Sequence, residues 1–161
     1  MARHIIIDGY NLAFALKETR GAVRSDQDKA RQILLDLLRR YKKSLPAEIT
    51  VVFDGREVQR ERHQRISGIE VKYSRPPATA DDEIRSMVNA AKDPGRLLVV
   101  SSDREVSQYV RRRGAETVRS DEFGDRLFAV LDWIPENQEK PAAADVEHWL
   151  KLFVGKRPDD D

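Results

Sequence analysis

The chain has 161 residues, of which 40% are hydrophobic and 35% are charged, and its formal net charge is +1. This composition excludes an intrinsically disordered protein and fits a domain with a sizeable core. The absence of cysteine excludes disulfides and thiolate metal sites. No apolar run approaches the roughly 18 residues that span a bilayer, and the N-terminus has no signal-peptide pattern. We therefore expect a cytoplasmic protein without a membrane partner.

Apolar patterning predicts four elements in the first half of the chain. In order they are a strand at 5–7, a short helix at 12–16, an amphipathic helix ending near residue 43 and a strand at 49–53. Residues 17–25 are expected to form a loop, and Ser25 is expected to cap the amphipathic helix. The stretch 56–65 is rich in arginine and has almost no apolar stripe. It is interpreted as an exposed helix or a mobile loop.

The second half of the chain continues the alternation of strands and helices. In order the predictions are a strand at 69–73 nearer an edge, a helix opening at 79–82, a strand at 97–100, a helix at 103–113, a strand at 115–118, and helices near 121–133 and 143–154. Thr79 and Asp82 resemble a capping pair, and Ser102 and Glu105 fit a capping box.

The alternation of strands and helices predicts the fold class. It favours a three-layer α/β/α sandwich built on a mainly parallel, five-stranded sheet. At this length we expect a single domain over residues 1–155. The last residues, 156–161, are rich in aspartate and are expected to be a disordered tail.

Acidic side chains follow the predicted strands at one end of the sheet. The residues expected to converge there are Asp8, Asn11, Asp54, Asp81, Asp82 and Asp103. Two carboxylates about 5 Å apart repel by roughly 3 kcal/mol at an effective dielectric near 20. Such a group must therefore take up protons, pair with basic side chains or bind a cation. Oxygen ligands favour Mg²⁺ or Mn²⁺ over zinc. The alternative interpretation is that each aspartate is only a turn or helix-cap residue.

Basic side chains are interpreted in two ways. Those proposed to contact an RNA backbone are Arg56, Arg60, Arg62, Arg65 and Arg104, because arginine suits phosphate. The alternative for the 56–65 stretch is solvated surface charge. The basic residues that end the amphipathic helix, Arg39 to Lys43, are interpreted as partners of the helix dipole on a solvated face.

Three short motifs together resemble the NYN domain family. They are Asp8-Gly9-Tyr10-Asn11, Thr79-Ala80-Asp81-Asp82 and Ser101-Ser102-Asp103-Arg104-Glu105. More narrowly, the chain resembles the YacP-like bacterial branch of that family, within the PIN-like nuclease superfamily, over roughly residues 4–133. The resemblance implies a PIN-like sandwich and a ribonuclease that depends on Mg²⁺ or Mn²⁺.

The resemblance also implies roles for individual residues. Asp8 and Asp103 would ligate the metal, together with at least one of Asp81 and Asp82. Asn11 would hold the metal or orient a water. Many PIN-like proteins carry a further acid near the third motif. The nearest acid in this chain is Glu105, and the resemblance leaves open whether the site holds one metal ion or two.

We therefore predict a metal-dependent endoribonuclease whose partner is RNA, with the translation machinery as a second candidate partner. One alternative is an RNA-binding module without hydrolysis, which retention of the matched acids disfavours. Another is a Mg²⁺-dependent phosphohydrolase of small phosphoesters that uses an aspartate nucleophile. That chemistry favours a second acid two positions after Asp8, where this chain has Tyr10.

Overall fold

A computed structural model of the protein describes residues 3–55 and 62–133, in which six strands, six α-helices and one short 3₁₀ helix (Pro94–Arg96) are formed. The strands are β1 (Arg3–Asp8), β2 (Ala47–Phe53), β3 (His63–Ile66), β4 (Ile69–Tyr73), β5 (Leu97–Val100) and β6 (Glu116–Val118). The helices are α1 (Gly9–Ala15), α2 (Arg20–Ser25), α3 (Gln27–Lys42), α4 (Ala80–Ala90), α5 (Arg104–Arg112) and α6 (Ser120–Trp133). The predicted helix near 143–154, the domain end at 155 and the tail lie outside the described residues. Within the described ranges, every helix is too short or too polar to cross a membrane.

The strands form one sheet in the order β3-β4-β2-β1-β5-β6. All neighbouring pairs are parallel except β3 and β4, which are antiparallel. The mainly parallel α/β fold is confirmed, whereas the expected count of five strands is wrong. The additional strand is β3, which falls in the stretch interpreted as an exposed helix or loop. β3 needs no apolar stripe because it lies at the edge of the sheet. Its backbone pairing with β4 stabilises it there.

Helices cover both faces of the sheet. On β1, Ile5 and Ile7 point into a core shared with α1, α3 and α6. Ile6 points into a second core shared with α4 and α5. This alternation follows from the two-residue period of a strand. Because both faces of the central strands are buried, their sequences are continuous apolar runs and not alternating ones.

Two predicted helix caps and one predicted loop are wrong. Residues 17–25 were expected to be a loop but contain α2, and Ser25 is the last residue of that helix. Its hydroxyl donates to the Gly21 carbonyl oxygen at 3.2 Å, so it is engaged within α2. Asp26 caps α3 instead, and its carboxylate accepts from the Lys29 backbone N–H at 3.1 Å. The second error, at α5, belongs to the site described below.

Close packing of α1 against β2 depends on Gly9. A Cβ atom added there would overlap the buried ring of Phe53 and lie 3.0 Å from a methyl of Val51. We expect Gly9→Ala to lower the free energy of unfolding by about 1–3 kcal/mol, the usual cost of overpacking. Urea denaturation would measure this. Gly21→Ala is the control, because its added Cβ meets nothing within 4 Å, and equal midpoints for the two variants would contradict the expectation.

Candidate active site

Three carboxylates converge at the carboxyl ends of the central strands. Asp8 ends β1, Asp103 follows β5, and Asp81 lies in the first turn of α4. The charges of Asp81 and Asp103 both raise the pKa of Asp8, and Asp103 raises the pKa of Asp81. These mutual effects show that the three side chains are electrostatic neighbours. We call Asp8, Asp81 and Asp103 the acidic cluster.

Asp8 is the buried member of the acidic cluster, with 8% of its surface exposed. Burial, followed by the nearby charge of Asp81, raises the pKa of Asp8 to about 7. A hydrogen bond from Ser101, whose Oγ lies 3.3 Å from Asp8 Oδ2, acts in the opposite direction, as does the backbone N–H of Asn11. These two hydrogen bonds do not compensate for burial and repulsion. Keeping Asp8 ionised near neutral pH therefore costs free energy.

Asp81 is half-buried, and Arg85 lies one turn further along α4. Burial and the charge of Asp103 raise the pKa of Asp81, whereas Arg85 lowers it. The Arg85 guanidinium stacks on Tyr109 at 5.3 Å, and its Nε is buried with no hydrogen-bond partner in the described part of the chain. Sequence reasoning missed Arg85. The available signal was its i+4 spacing from Asp81, which places both side chains on one side of the helix.

Asp82, the second acid at the start of α4, is engaged in helix capping. Its carboxylate accepts from the Thr79 backbone N–H at 2.8 Å, and the Asp82 backbone N–H donates to Thr79 Oγ1 at 3.3 Å. The predicted capping pair is therefore confirmed. The Thr79 backbone hydrogen bond lowers the pKa of Asp82, which is the opposite of the effect on Asp81. A metal-binding role for Asp82 stays a prediction.

Asp103 caps α5, and the predicted capping box of Ser102 and Glu105 is wrong. Asp103 Oδ1 accepts from the backbone N–H groups of Glu105 at 2.8 Å and Val106 at 3.2 Å. Ser102 is engaged elsewhere, because its Oγ accepts from the Ser120 backbone N–H. Ser101 Oγ accepts from the Asp103 backbone N–H at 3.1 Å, so one serine fixes both Asp8 and Asp103.

Asn11 connects the first turn of α1 to two other elements of the site. Its Oδ1 accepts from the Ser102 backbone N–H at 3.0 Å and from Ser120 Oγ at 2.6 Å. Ser102 Oγ in turn accepts from the Ser120 backbone N–H at 3.1 Å. These bonds give Asn11 a structural role besides its predicted one. Sequence reasoning missed Ser120, which starts α6 and follows no recognised motif.

Three of the predicted RNA-contacting arginines, Arg62, Arg65 and Arg104, lie among the described residues. Arg62 donates to the carbonyl oxygens of Gly55 at 3.3 Å and Ser74 at 2.6 Å, which stabilises the end of the sheet. Arg65 lies on β3, three strand spacings or about 14 Å from β1. Arg104 is exposed at the start of α5. Two further arginines, Arg56 and Arg60, lie outside the described residues.

Asp54, the other strand-end acid, lies at the same edge of the sheet as Asp8. It follows β2, which is the neighbour of β1. Asp54 is half-buried, and Gly55 after it donates its backbone N–H to Ser74 Oγ at 3.0 Å. This places Asp54 beside the acidic cluster without assigning it a role.

The acidic cluster fits a hard divalent cation by its chemistry. Over residues 3–55 and 62–133, no three or more His, Asp or Glu side chains are already arranged as a metal site. The cluster nevertheless offers only oxygen donors, which Mg²⁺ and Mn²⁺ prefer. A cation would also relieve the repulsion that raises the pKa values of Asp8 and Asp81.

The fold and the acidic cluster together define a PIN-like, nuclease-type α/β domain. The chain belongs to the YacP-like NYN domain family, which its sequence matches over residues 5–151. The family resemblance carried by the three motifs is therefore confirmed, and it extends beyond the last described residue.

Known relatives agree with this assignment. The chain is 24% identical over 106 residues to a Bacillus subtilis (strain 168) protein named "Uncharacterized protein YacP", and the match covers 65% of this chain and 62% of that protein. The chain thus spans less than two thirds of that relative in the alignment. Two crystal structures of Rae1 (YacP) from Bacillus subtilis match with a TM-score of 0.68 and 20% identity. One of the two structures is of a mutant, and its match covers 83% of this chain and 79% of the mutant's chain. The match to the other structure covers 96% of this chain and 83% of the matched chain. At this identity the structures support the fold alone.

Proposed function

We propose that the protein is an endoribonuclease that hydrolyses RNA phosphodiesters at the acidic cluster with Mg²⁺ or Mn²⁺. The observation that supports this most is the convergence of Asp8, Asp81 and Asp103, in which burial and repulsion raise the pKa of Asp8 to about 7. A group of like charges with one buried member destabilises the fold, so it is more readily explained by binding than by structure. Membership of the YacP-like NYN family supports RNA as the substrate class.

In this proposal the acidic cluster would hold the ion, and neighbouring residues would fix the cluster. When bound, a divalent ion supplies positive charge for the phosphate and lowers the pKa of water. Ser101 holds Asp8 and Asp103 in register through its hydroxyl. Arg85 adds a positive charge beside Asp81 for a phosphate oxygen. Hydrolysis would break the bond from phosphorus to O3′ and leave a 3′-hydroxyl and a 5′-phosphate.

Asp103→Asn tests the proposal without removing the helix cap, since asparagine caps helices as well as aspartate. We expect Mn²⁺-dependent cleavage of a mixed RNA pool to fall by about 100-fold or more, because losing metal-supplied stabilisation costs several kcal/mol in the transition state. The matched control is Asp26→Asn, which alters the N-cap of α3 away from the cluster. Circular dichroism would check that both variants fold. Full activity of Asp103→Asn, or an equal loss in Asp26→Asn, would refute the proposed site.

A further inference from the structure

Arg85 lies between α4 and α5, beside the acidic cluster. It follows Asp81 by about one helical turn on α4, and its charge lowers the pKa of that carboxyl. Its Nη2 lies 4.0 Å from Oε2 of Glu105. Glu105 is in the first turn of α5, two positions after Asp103. Arg85 therefore borders the acidic cluster from both helices.

The guanidinium of Arg85 is poorly neutralised where it stands. Its Nε is buried and has no hydrogen-bond partner in the described part of the chain. The 4.0 Å contact with Glu105 is longer than a hydrogen bond, and water screens it because the Glu105 side chain is 88% exposed. A buried donor without a partner destabilises the fold. A structural role alone therefore does not explain an arginine at this position.

An aromatic ring restricts where the Arg85 guanidinium can lie. The ring is that of Tyr109 on α5, and its centroid is 5.3 Å from the central guanidinium carbon. The Tyr109 hydroxyl accepts from Nδ2 of Asn89 on α4, which fixes the ring between the two helices. Because the attraction between a cation and a ring requires the cation to lie against the ring, the fixed ring holds Arg85 beside the cluster.

Arg113 offers a comparison within the same structure. Its guanidinium lies 5.0 Å from the centroid of the same Tyr109 ring. Arg113 is exposed and is the C-cap of α5, at the end of the helix opposite Asp103. Two arginines thus share one ring, but only Arg85 borders the acidic cluster.

We propose that Arg85 binds the reacting phosphate of RNA in exchange for Glu105, and that Tyr109 is the positioning residue that holds Arg85 in place. This inference rests on the proposed function, because it assigns further residues to the same site. A guanidinium can bind two phosphate oxygens at once, which is a stronger interaction than a long contact with one carboxylate oxygen. Glu105 can turn into solvent when phosphate arrives, since its side chain is largely exposed.

Single-turnover cleavage with Mn²⁺ over a range of RNA concentrations tests these roles. We expect Arg85→Gln to lower the maximal rate about 100-fold, the usual cost of losing one donor to a developing negative charge. Tyr109→Leu should lower it about 5–20-fold, because Arg85 is then misplaced. Tyr109→Phe keeps the ring and should stay within about twofold of the wild type. Glu105→Gln should lower the RNA concentration that gives half the maximal rate, because a competitor for Arg85 is lost.

Combining two changes distinguishes positioning from a general structural effect. If Tyr109 acts through Arg85, Tyr109→Leu should cause no further loss of rate once Arg85→Gln is present. A further loss would show that Tyr109 serves the fold or contacts RNA by itself, and would overturn its assigned role. Loss of cleavage in Glu105→Gln would instead make Glu105 part of the catalytic site and overturn the exchange. Thermal melts would check that each variant folds.

The matched control is Arg113→Gln, which removes an arginine from the same ring at a distance from the cluster. It should cleave at the wild-type rate, and an equal loss in Arg85→Gln and Arg113→Gln would reduce the effect to general surface charge.

Binding of an unstructured single-stranded RNA in EDTA tests the phosphate site separately from cleavage. Over a range of salt concentrations, we expect Arg85→Gln to reduce the salt slope by about 0.7, which corresponds to one lost phosphate contact. Arg113→Gln should leave the slope unchanged. A wild type with an Arg85-dependent slope that never cleaves RNA with Mn²⁺ would refute the proposed function and retain the phosphate site. A wild type that cleaves RNA, with Arg85→Gln fully active, would refute the inference and retain the proposed function.

Discussion

The Asp8→Asn variant is expected to be more stable than the wild type in EDTA and to lose RNA cleavage. Raising the pKa of Asp8 from 3.8 to about 7 corresponds to about 4 kcal/mol of lost stability once the group is ionised in both folded and unfolded chains. Asparagine removes the charge and retains an oxygen that can accept from Ser101. We expect a gain of about 2–4 kcal/mol at pH 8, or a melting temperature about 5–10 °C higher.

The pH dependence of this gain follows from the direction of the pKa shift. Between pH 3.8 and about 7 the folded protein keeps a proton on Asp8 that the unfolded chain has released. The contribution of Asp8 to the stability of the wild type is therefore fully present below pH 3.8 and is lost as the pH rises through about 7. The difference between Asp8→Asn and the wild type should be small near pH 4, grow through this window and level off above it.

Thermal melts at several pH values, with and without Mn²⁺, would check this expectation. Mn²⁺ should raise the melting temperature of the wild type more than that of Asp8→Asn, because a bound ion stabilises only the chain that holds it. Asp26→Asn is the control for a general effect of removing negative charge. A less stable Asp8→Asn at pH 8 would show that the Asp8 carboxylate serves the fold.

The central part of the fold and site was predictable because its signals are local. Parallel strands buried on both faces have continuous apolar sequences, and those of β1, β2 and β5 are unambiguous. Once these strands are taken as parallel neighbours, Asp8 and Asp103 must lie at the same edge of the sheet. Asp81 joins them because the capping pair of Thr79 and Asp82 fixes where α4 begins.

The remaining features depend on contacts between distant parts of the chain. The sequence of β3 is polar, and only its pairing with β4 makes it a strand. Ser102 and Asp103 were both able to cap α5, and the structure uses Asp103. Ser102 instead accepts from Ser120, a residue 18 positions away. No local sequence pattern predicts a hydrogen bond between residues so far apart.

Two roles of Asn11 can be told apart by experiment. In one it is a ligand of the metal or of a water, and in the other it positions the site. Its Oδ1 accepts from Ser102 and from Ser120, whose side chain is fully buried. Asn11→Ala would leave both donors without this acceptor, and we expect a loss of about 1–3 kcal/mol in the free energy of unfolding. Ser120→Ala removes one of the same bonds from a position outside the acidic cluster.

If Asn11 acts by positioning, Ser120→Ala should reproduce part of the loss of both stability and cleavage. The two changes should then be non-additive, because they remove the same hydrogen bond, and a double-mutant cycle would measure the coupling. If Asn11 acts only as a ligand, Ser120→Ala should retain full cleavage and the two effects should add. Urea unfolding and Mn²⁺-dependent cleavage on the four proteins of the cycle would distinguish the two roles. Coupling in stability together with additivity in cleavage would show that Asn11 does both.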